Sequence, residues 1–192
     1  MRYSAWLGIF LGILIAAPAV DMALAQDAAK PVADEFAARG QRDARSIKYG
    51  DWQKYCFKPG GVTKTVCRTT ISGTFETGQI AVRIYLVERE GVGTARLQVF
   101  LPVGLYVRAG AKLSVDKGKP YTIPFSWCLT NSCIAGDAAN SALLREMESG
   151  KDLTIEVMDT NMLAVTTSLP LTQFAAARKG PPVQTFEQII DE

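Results

Sequence analysis

Between residues 79 and 88 apolar and polar side chains alternate, with Ile80, Val82, Ile84 and Leu86 at every second position. A period of two places successive side chains on opposite faces of an extended chain, so the segment predicts a strand with one buried face. Glu90-Gly91-Val92-Gly93 then turns the chain, and residues 96–101 resume the same period. The pair predicts an antiparallel hairpin. Upstream, residues 52–57 and 65–71 predict strands separated by Lys58-Pro59-Gly60-Gly61, with Ser72-Gly73 breaking the second. Downstream, residues 105–108, 113–115 and 121–125 form further short strand-like segments, punctuated by Gly104, Gly110 and Asp116-Lys117-Gly118. Residues 153–158 and 163–169 predict another hairpin, closed by Asp159-Thr160-Asn161. One segment has a helical character instead: residues 138–147, with Asp137 as the expected N-cap and Gly150 as the stop. Many short strands with turn residues between them predict a sandwich or a barrel.

The two ends read differently. Arg2 precedes an apolar run over residues 5–20, and Ala23-Leu24-Ala25 precedes the polar Gln26-Asp27. This is the pattern of a secretory signal peptide, with cleavage expected between Ala25 and Gln26. Pro18, Asp21 and the small residues at the cleavage site argue against an uncleaved membrane anchor, so no span is expected after cleavage. Residues 26–45 are rich in Ala, Asp, Arg and Gln without an apolar stripe wide enough to pack, and predict a mobile lead-in with a short helix around residues 33–39. From Arg178 onward, Pro181-Pro182 and the terminal Asp191-Glu192 predict a solvated tail outside the core.

Composition narrows the chemistry. The 192 residues are 48% apolar and 21% charged, which excludes collagen-like, disordered and many-pass membrane chains. Twenty-one Lys and Arg against 19 Asp and Glu give a net charge of +2, too little for a bulk field that would draw in nucleic acid. Histidine is absent, which removes the usual general base and the commonest metal ligand. No catalytic residue, no metal site and no cofactor is expected.

Four cysteines lie in the exported part: Cys56, Cys67, Cys128 and Cys133. An even count in an oxidising compartment predicts disulfides. Spacing alone does not choose among the three connectivities. Local closure favours 56–67 and 128–133, because Cys56 ends one strand-like segment and Cys67 sits in the next, while Cys128 and Cys133 flank a short turn. Neither pair has the CxxC spacing of thiol oxidoreductases or zinc ribbons.

Several residues taken together carry a resemblance. Gly50-Asp51-Trp52 leads to Cys56; Leu101-Pro102-Val103-Gly104-Leu105 is followed by Gly110 and Leu113-Ser114-Val115-Asp116; Pro124-Phe125-Ser126-Trp127-Cys128 is followed by Cys133-Ile134-Ala135. In this order and with both cysteine pairs, the sequence resembles the invasion-associated locus B family from about residue 48 to 177. Residues 169–177 resemble that family's closing segment, except that Gln173 stands where a Gly is expected. The resemblance implies an exported protein of alphaproteobacterial type, an immunoglobulin-like antiparallel β-sandwich with one short helix inserted after the second cysteine pair, and no established enzymatic activity. It places the folded domain at residues 48–177, between a signal peptide (1–25) with its lead-in (26–47) and a polar tail (178–192). The family is named for entry into host cells, and a general periplasmic or envelope role is the broader expectation.

Other motifs have structural readings. Ser114-Val115-Asp116-Lys117 matches the S-x-x-K of penicillin-binding enzymes, but that chemistry needs a helix N-terminus and these residues straddle a strand end and a turn. Gly91-Val92-Gly93 is expected to be a hairpin turn rather than a dinucleotide loop. Glu88, Glu90, Asp116, Glu146, Glu148 and Asp152 could supply a catalytic carboxylate pair or a calcium cage, though their spacing predicts solvated edges. Trp127, beside Cys128, is expected to cover a disulfide in the core, and Trp52 near Cys56 likewise.

The functional expectation is therefore a periplasmic or secreted binding protein, compatible with outer-membrane association, whose partner is another envelope protein or a host-surface protein. Its expected binding elements are the loops at 58–65, 88–95 and 129–132, or an open sheet edge. A redox or other envelope enzyme using Cys128 and Cys133 is the rival class, and a passive envelope-integrity factor is the third.

Overall fold

The period-two segments pair into two layers. In the computed structural model, which describes residues 37–42, 45–61 and 63–187, strands β1 (Gly40–Arg42), β7 (Ala111–Val115), β8 (Tyr121–Ile123), β11 (Asp152–Met158) and β12 (Leu163–Pro170) form a five-stranded sheet in the order β1-β12-β11-β7-β8. The larger sheet runs β13-β3-β4-β5-β6-β10-β9, from β13 (Gln184–Glu187), β3 (Gln53–Lys58), β4 (Val66–Thr74), β5 (Ile80–Arg89), β6 (Arg96–Leu101), β10 (Cys133–Ala138) and β9 (Phe125–Cys128). A short β2 (Lys48–Tyr49) joins it on β4. Pairing is antiparallel except for β1 on β12 and β13 on β3. The inner faces meet through Val82, Ile84, Leu86, Leu97 and Val99 on one side and Leu113, Leu153, Ile155 and Leu169 on the other, all nearly inaccessible to solvent. Burial of each such side chain is worth about 1.5–3 kcal/mol. The protein is a mostly β sandwich, as expected.

Helix α1 (Ser141–Ser149) buries Leu143, Leu144 and Met147 against this core. Its N-cap is Asn140, whose Oδ1 accepts from the Ala142 and Leu143 amides at 2.8 and 3.4 Å. The expected cap, Asp137, lies instead in β10, because pairing of residues 133–138 with β6 keeps the chain extended up to Ala138. A second helix, α2 (Phe174–Lys179), was not expected. Residues 105–108 do not form a strand either: Leu105 makes one bridge to Asp159, and Val107–Ala109 is a 3-10 turn.

Two further expectations are corrected inside the large sheet. Ser72 and Gly73 lie within β4 rather than ending it. Gly73 is required there by close approach, since a Cβ would sit 2.6 Å from Ile47 Cγ2. Directly after it the β4–β5 register shifts, so that Gly73 faces Val82 while Thr74 faces Ile80. The additional residue, Ala81, turns inward and Ile80 swings out to 42% exposure.

The described parts of the lead-in and of the tail are paired into the sheets. Gly40–Arg42 pairs with β12, and residues 37–39 are not helical; the rest of the expected helix, the signal peptide and the Ala25/Gln26 cleavage site lie outside the described residues. The tail from Arg178 is tied down: Arg178 donates to Glu88 at 2.7 Å and to Glu148 at 2.7 Å, and Gln184–Glu187 is a strand of the large sheet. Lys179 also reaches Glu148 at 2.7 Å.

These cations hold the Glu148 carboxyl below its ordinary pKa, the Lys179 hydrogen bond being the largest cause. A carboxyl whose folded value lies below its unfolded one contributes its full stabilisation above the unfolded value and loses it as pH falls through the folded value. Urea-unfolding stability is therefore expected to decline on acidification below about pH 4.5, the ordinary glutamate value. Glu148→Gln should make that decline shallower; an unchanged slope would show that this cluster contributes nothing.

Candidate functional site

The carboxylates singled out by sequence are taken up in structural contacts, Glu88 and Glu148 sharing the Arg178 guanidinium. Glu88 is taken by Arg178, whereas Glu90 accepts from the Thr65 amide at 3.0 Å. Glu146 accepts from the Tyr121 hydroxyl at 2.7 Å, which pushes the tyrosine pKa up, while Glu148 faces α2. Asp116 accepts from the Lys151 and Asp152 amides, and those backbone donors hold its carboxyl below the usual range. Asp116 and Lys117 have φ of 46° and 66°, so the S-x-x-K match spans a tight β7–β8 turn with no helix. Among the described residues no three metal-binding side chains converge.

Both disulfides cross between directly opposed residues of neighbouring antiparallel strands. Cys56 and Cys67 join β3 to β4, and Cys128 and Cys133 join β9 to β10. Cys56 and Cys133 are buried, whereas Cys128 is exposed.

The three expected binding loops do not form one surface. Glu90 N donates to Thr65 O at 2.9 Å, which brings the loops around 58–65 and 88–95 to the same end of the large sheet. The 129–132 turn sits at the opposite end, because Cys133 pairs with Leu101 while Ala138 pairs with Arg96.

The tryptophans part company. Trp52 is buried, with its indole N–H on Pro170 O at 2.7 Å and its ring 4.8 Å from Phe174. Trp127, expected in the core, is 53% exposed. Adjacent residues of a strand point to opposite faces. Trp127 stands opposite Ile134 on the outer face of the large sheet.

That outer face is the most distinctive surface of the molecule. Register places Tyr55, Arg68, Val87 and Arg96 in one row across β3, β4, β5 and β6, and Thr70, Tyr85 and Gln98 in the next. A third row runs Ser72, Arg83, Phe100, Ile134 and Trp127. At the near end Val66 pairs with Arg89, and Phe57 stacks on Phe186 of β13 at 5.2 Å. Arg68 lies between two rings, 4.3 Å from Tyr85 and 5.4 Å from Phe57, and its Nε has no hydrogen-bond partner. Arg83 donates to Ser72 and to the Tyr85 hydroxyl, and Tyr85 lies 4.7 Å from Phe100. No Asp or Glu occupies a position of these rows, and the ion pairs among the described residues involve none of these four arginines. Sequence reasoning missed this face. Its signal was the polar phase of the alternating segments, Arg68-x-Thr70-x-Ser72 and Arg83-x-Tyr85-x-Val87-x-Arg89.

On the other side of the large sheet, a cleft of about 510 Å³ opens to solvent at the rim of the two layers. Branched aliphatic side chains of β11 and β12 form one wall, Ala81 and Leu101 the other, and Arg42 and Arg45 stand in its lining.

Comparison with known proteins agrees with this architecture. The chain is 28% identical over 109 residues to the invasion protein B homologs of Brucella abortus strain 2308 and of B. abortus biovar 1 strain 9-941, covering 56% of this chain and 61% of each relative. It thus spans about three fifths of the length of those curated relatives. The crystal structure of invasion associated protein B from Bartonella henselae shares the fold, with a TM-score of 0.60 at 20% identity over 68% of this chain and 90% of that one. No helix among the described residues is long and apolar enough to cross a membrane. The family model described as Invasion associated locus B (IalB) protein matches residues 52–182, more than half of the sequence, and the chain belongs to that family.

Proposed function

We propose that this protein is an exported, non-enzymatic binding protein of the bacterial envelope that engages an acidic surface of a partner protein through the outer face of its large sheet. The observation that carries the reading is Arg68, held between Tyr85 and Phe57 on a face without a carboxylate. Aromatic residues and arginine are the side chains enriched at protein interfaces and at their energetic centres. A guanidinium stacked on rings has already lost much of its rotamer freedom, so less is lost again on binding. Six strand spacings of about 4.8 Å and three row spacings of about 6.8 Å give a patch of roughly 29 by 20 Å, close to one side of a standard interface. Export is supported by the two disulfides, which persist in oxidising compartments. The names of the relatives connect them to invasion; for this chain the partner is a protein of its own envelope or of a host surface.

The test is site-specific photocrosslinking from Thr70 and Gln98, which lie among the arginines, with Asn131 in the distant turn as comparison. A discrete protein adduct is expected from the two face positions, in producing cells alone or only on contact with host cells. Arg68→Ala should weaken that complex about 30-fold, equivalent to about 2 kcal/mol, and added salt should weaken it further. Adducts from Asn131 alone, or adducts indifferent to Arg68→Ala, would return the function to the loops.

A further inference from the structure

The cleft at the rim of the two sheets is separate from that binding face, and its chemistry is of another kind. We propose that it binds a single-chain fatty carboxylate, with the aliphatic chain between the two sheets and the head group at Arg45. Its walls include Ile155, Val157 and Val165 from the small sheet and Ala81 and Leu101 from the large one. Ile155 and Val157, 1% and 8% exposed, form its floor, and the exposed Val103 and Arg45 stand at its mouth. Of the polar groups in the lining, Thr167 already has its hydroxyl engaged by Tyr49 at 2.6 Å. An interior of branched aliphatic groups suits methylenes, and a volume of about 510 Å³ falls within the range of small-molecule sites.

The charges in the lining select the head group. Arg42 and Arg45 are its ionised residues, and no carboxylate lines it. Arg42 Nη1 lies 3.4 Å from Oδ2 of the buried Asp159, outside the lining, so this arginine already has an acidic partner. Oδ1 of the same carboxylate accepts the amides of Asn161 and Leu163 at 2.9 and 3.0 Å, which fixes it in the β11–β12 turn. Arg45 has no such acid among the described residues; its guanidinium stands 5.8 Å from the ring centroid of Phe75, another lining residue. A cation beside an aromatic ring, at the edge of an aliphatic interior, complements a carboxylate on an aliphatic chain.

Titration calorimetry of the disulfide-bonded protein with octanoate, decanoate and dodecanoate, below their micelle concentrations, tests this. Binding at one site is expected, with affinity rising about fourfold per methylene. Dodecanol should bind at least about tenfold more weakly than dodecanoate, the equivalent of one charge-assisted hydrogen bond. Arg45→Gln, at an exposed position, should remove that difference and leave dodecanol binding unchanged. Ala81→Leu should fill the space and abolish binding of both. Absence of saturable binding, equal affinity for acid and alcohol, or an undiminished preference in Arg45→Gln would overturn the assignment. The Arg45 variant decides the matter even where Ala81→Leu does not fold.

Discussion

Replacing Phe174 with alanine is expected to lower the free energy of unfolding by about 3–5 kcal/mol. The ring is wholly buried, packs edge-on against Trp52 at 4.8 Å, and is the one buried residue of α2. Its removal leaves a void under α2 that the rigid inner faces of the sheets cannot close. The damage also reaches the clamp beyond it, because Arg178 holds Glu88 of β5 and Glu148 of α1 only while α2 stays docked. Urea unfolding followed by tryptophan fluorescence would report the change. A loss below about 1 kcal/mol would mean that α2 contributes little to the core.

The second large effect is expected from the disulfide between β3 and β4. Changing Cys56 and Cys67 together to alanine should cost about 3 kcal/mol, the chain-entropy value for a sequence separation of 11. The same change at Cys128 and Cys133, with a separation of 5, should cost about 2 kcal/mol. The ordering follows from loop length and from the hairpin turn already closing the second loop through Leu129 N on Ser132 O at 2.7 Å. Shifts in the urea midpoint of the two double variants, compared at equal slope, measure both. A larger loss at 128–133 would show that the exposed β9–β10 hairpin, rather than the β3–β4 pair, limits stability.

Much of the sandwich was legible because β5, β6, β11 and β12 are long enough for the period of two to repeat. Helix α2 was not, since its six residues contain one core side chain and therefore no period. Strand β13 was invisible for another reason: all four of its residues are exposed, and its partner β3 lies far away in sequence. Trp127 shows a reading that the pattern itself could have corrected. Its neighbour Cys128 occupies the disulfide, so alternation along β9 sends the indole to the other face, where it completes a row begun by Ser72 and Arg83. The arginines could be seen one strand at a time. Their convergence needed the register of strands β3 to β6, which depends on pairings no single segment encodes.

The parallel strand at the end of the domain also bears on how the chain is made. The edge of β3 is covered by residues that follow it by about 129 positions, as in the Lys58–Glu187 pair. On the export proposed above the chain emerges N-terminus first, so β3 to β6 are released before β13. During that interval the backbone donors and acceptors along β3, flanked by Tyr55 and Phe57, form an open template for another strand. Two nascent copies held close together could pair there. Emergence of Gln184–Glu187 closes that window, so β13 protects the sheet against its own kind as much as it extends it.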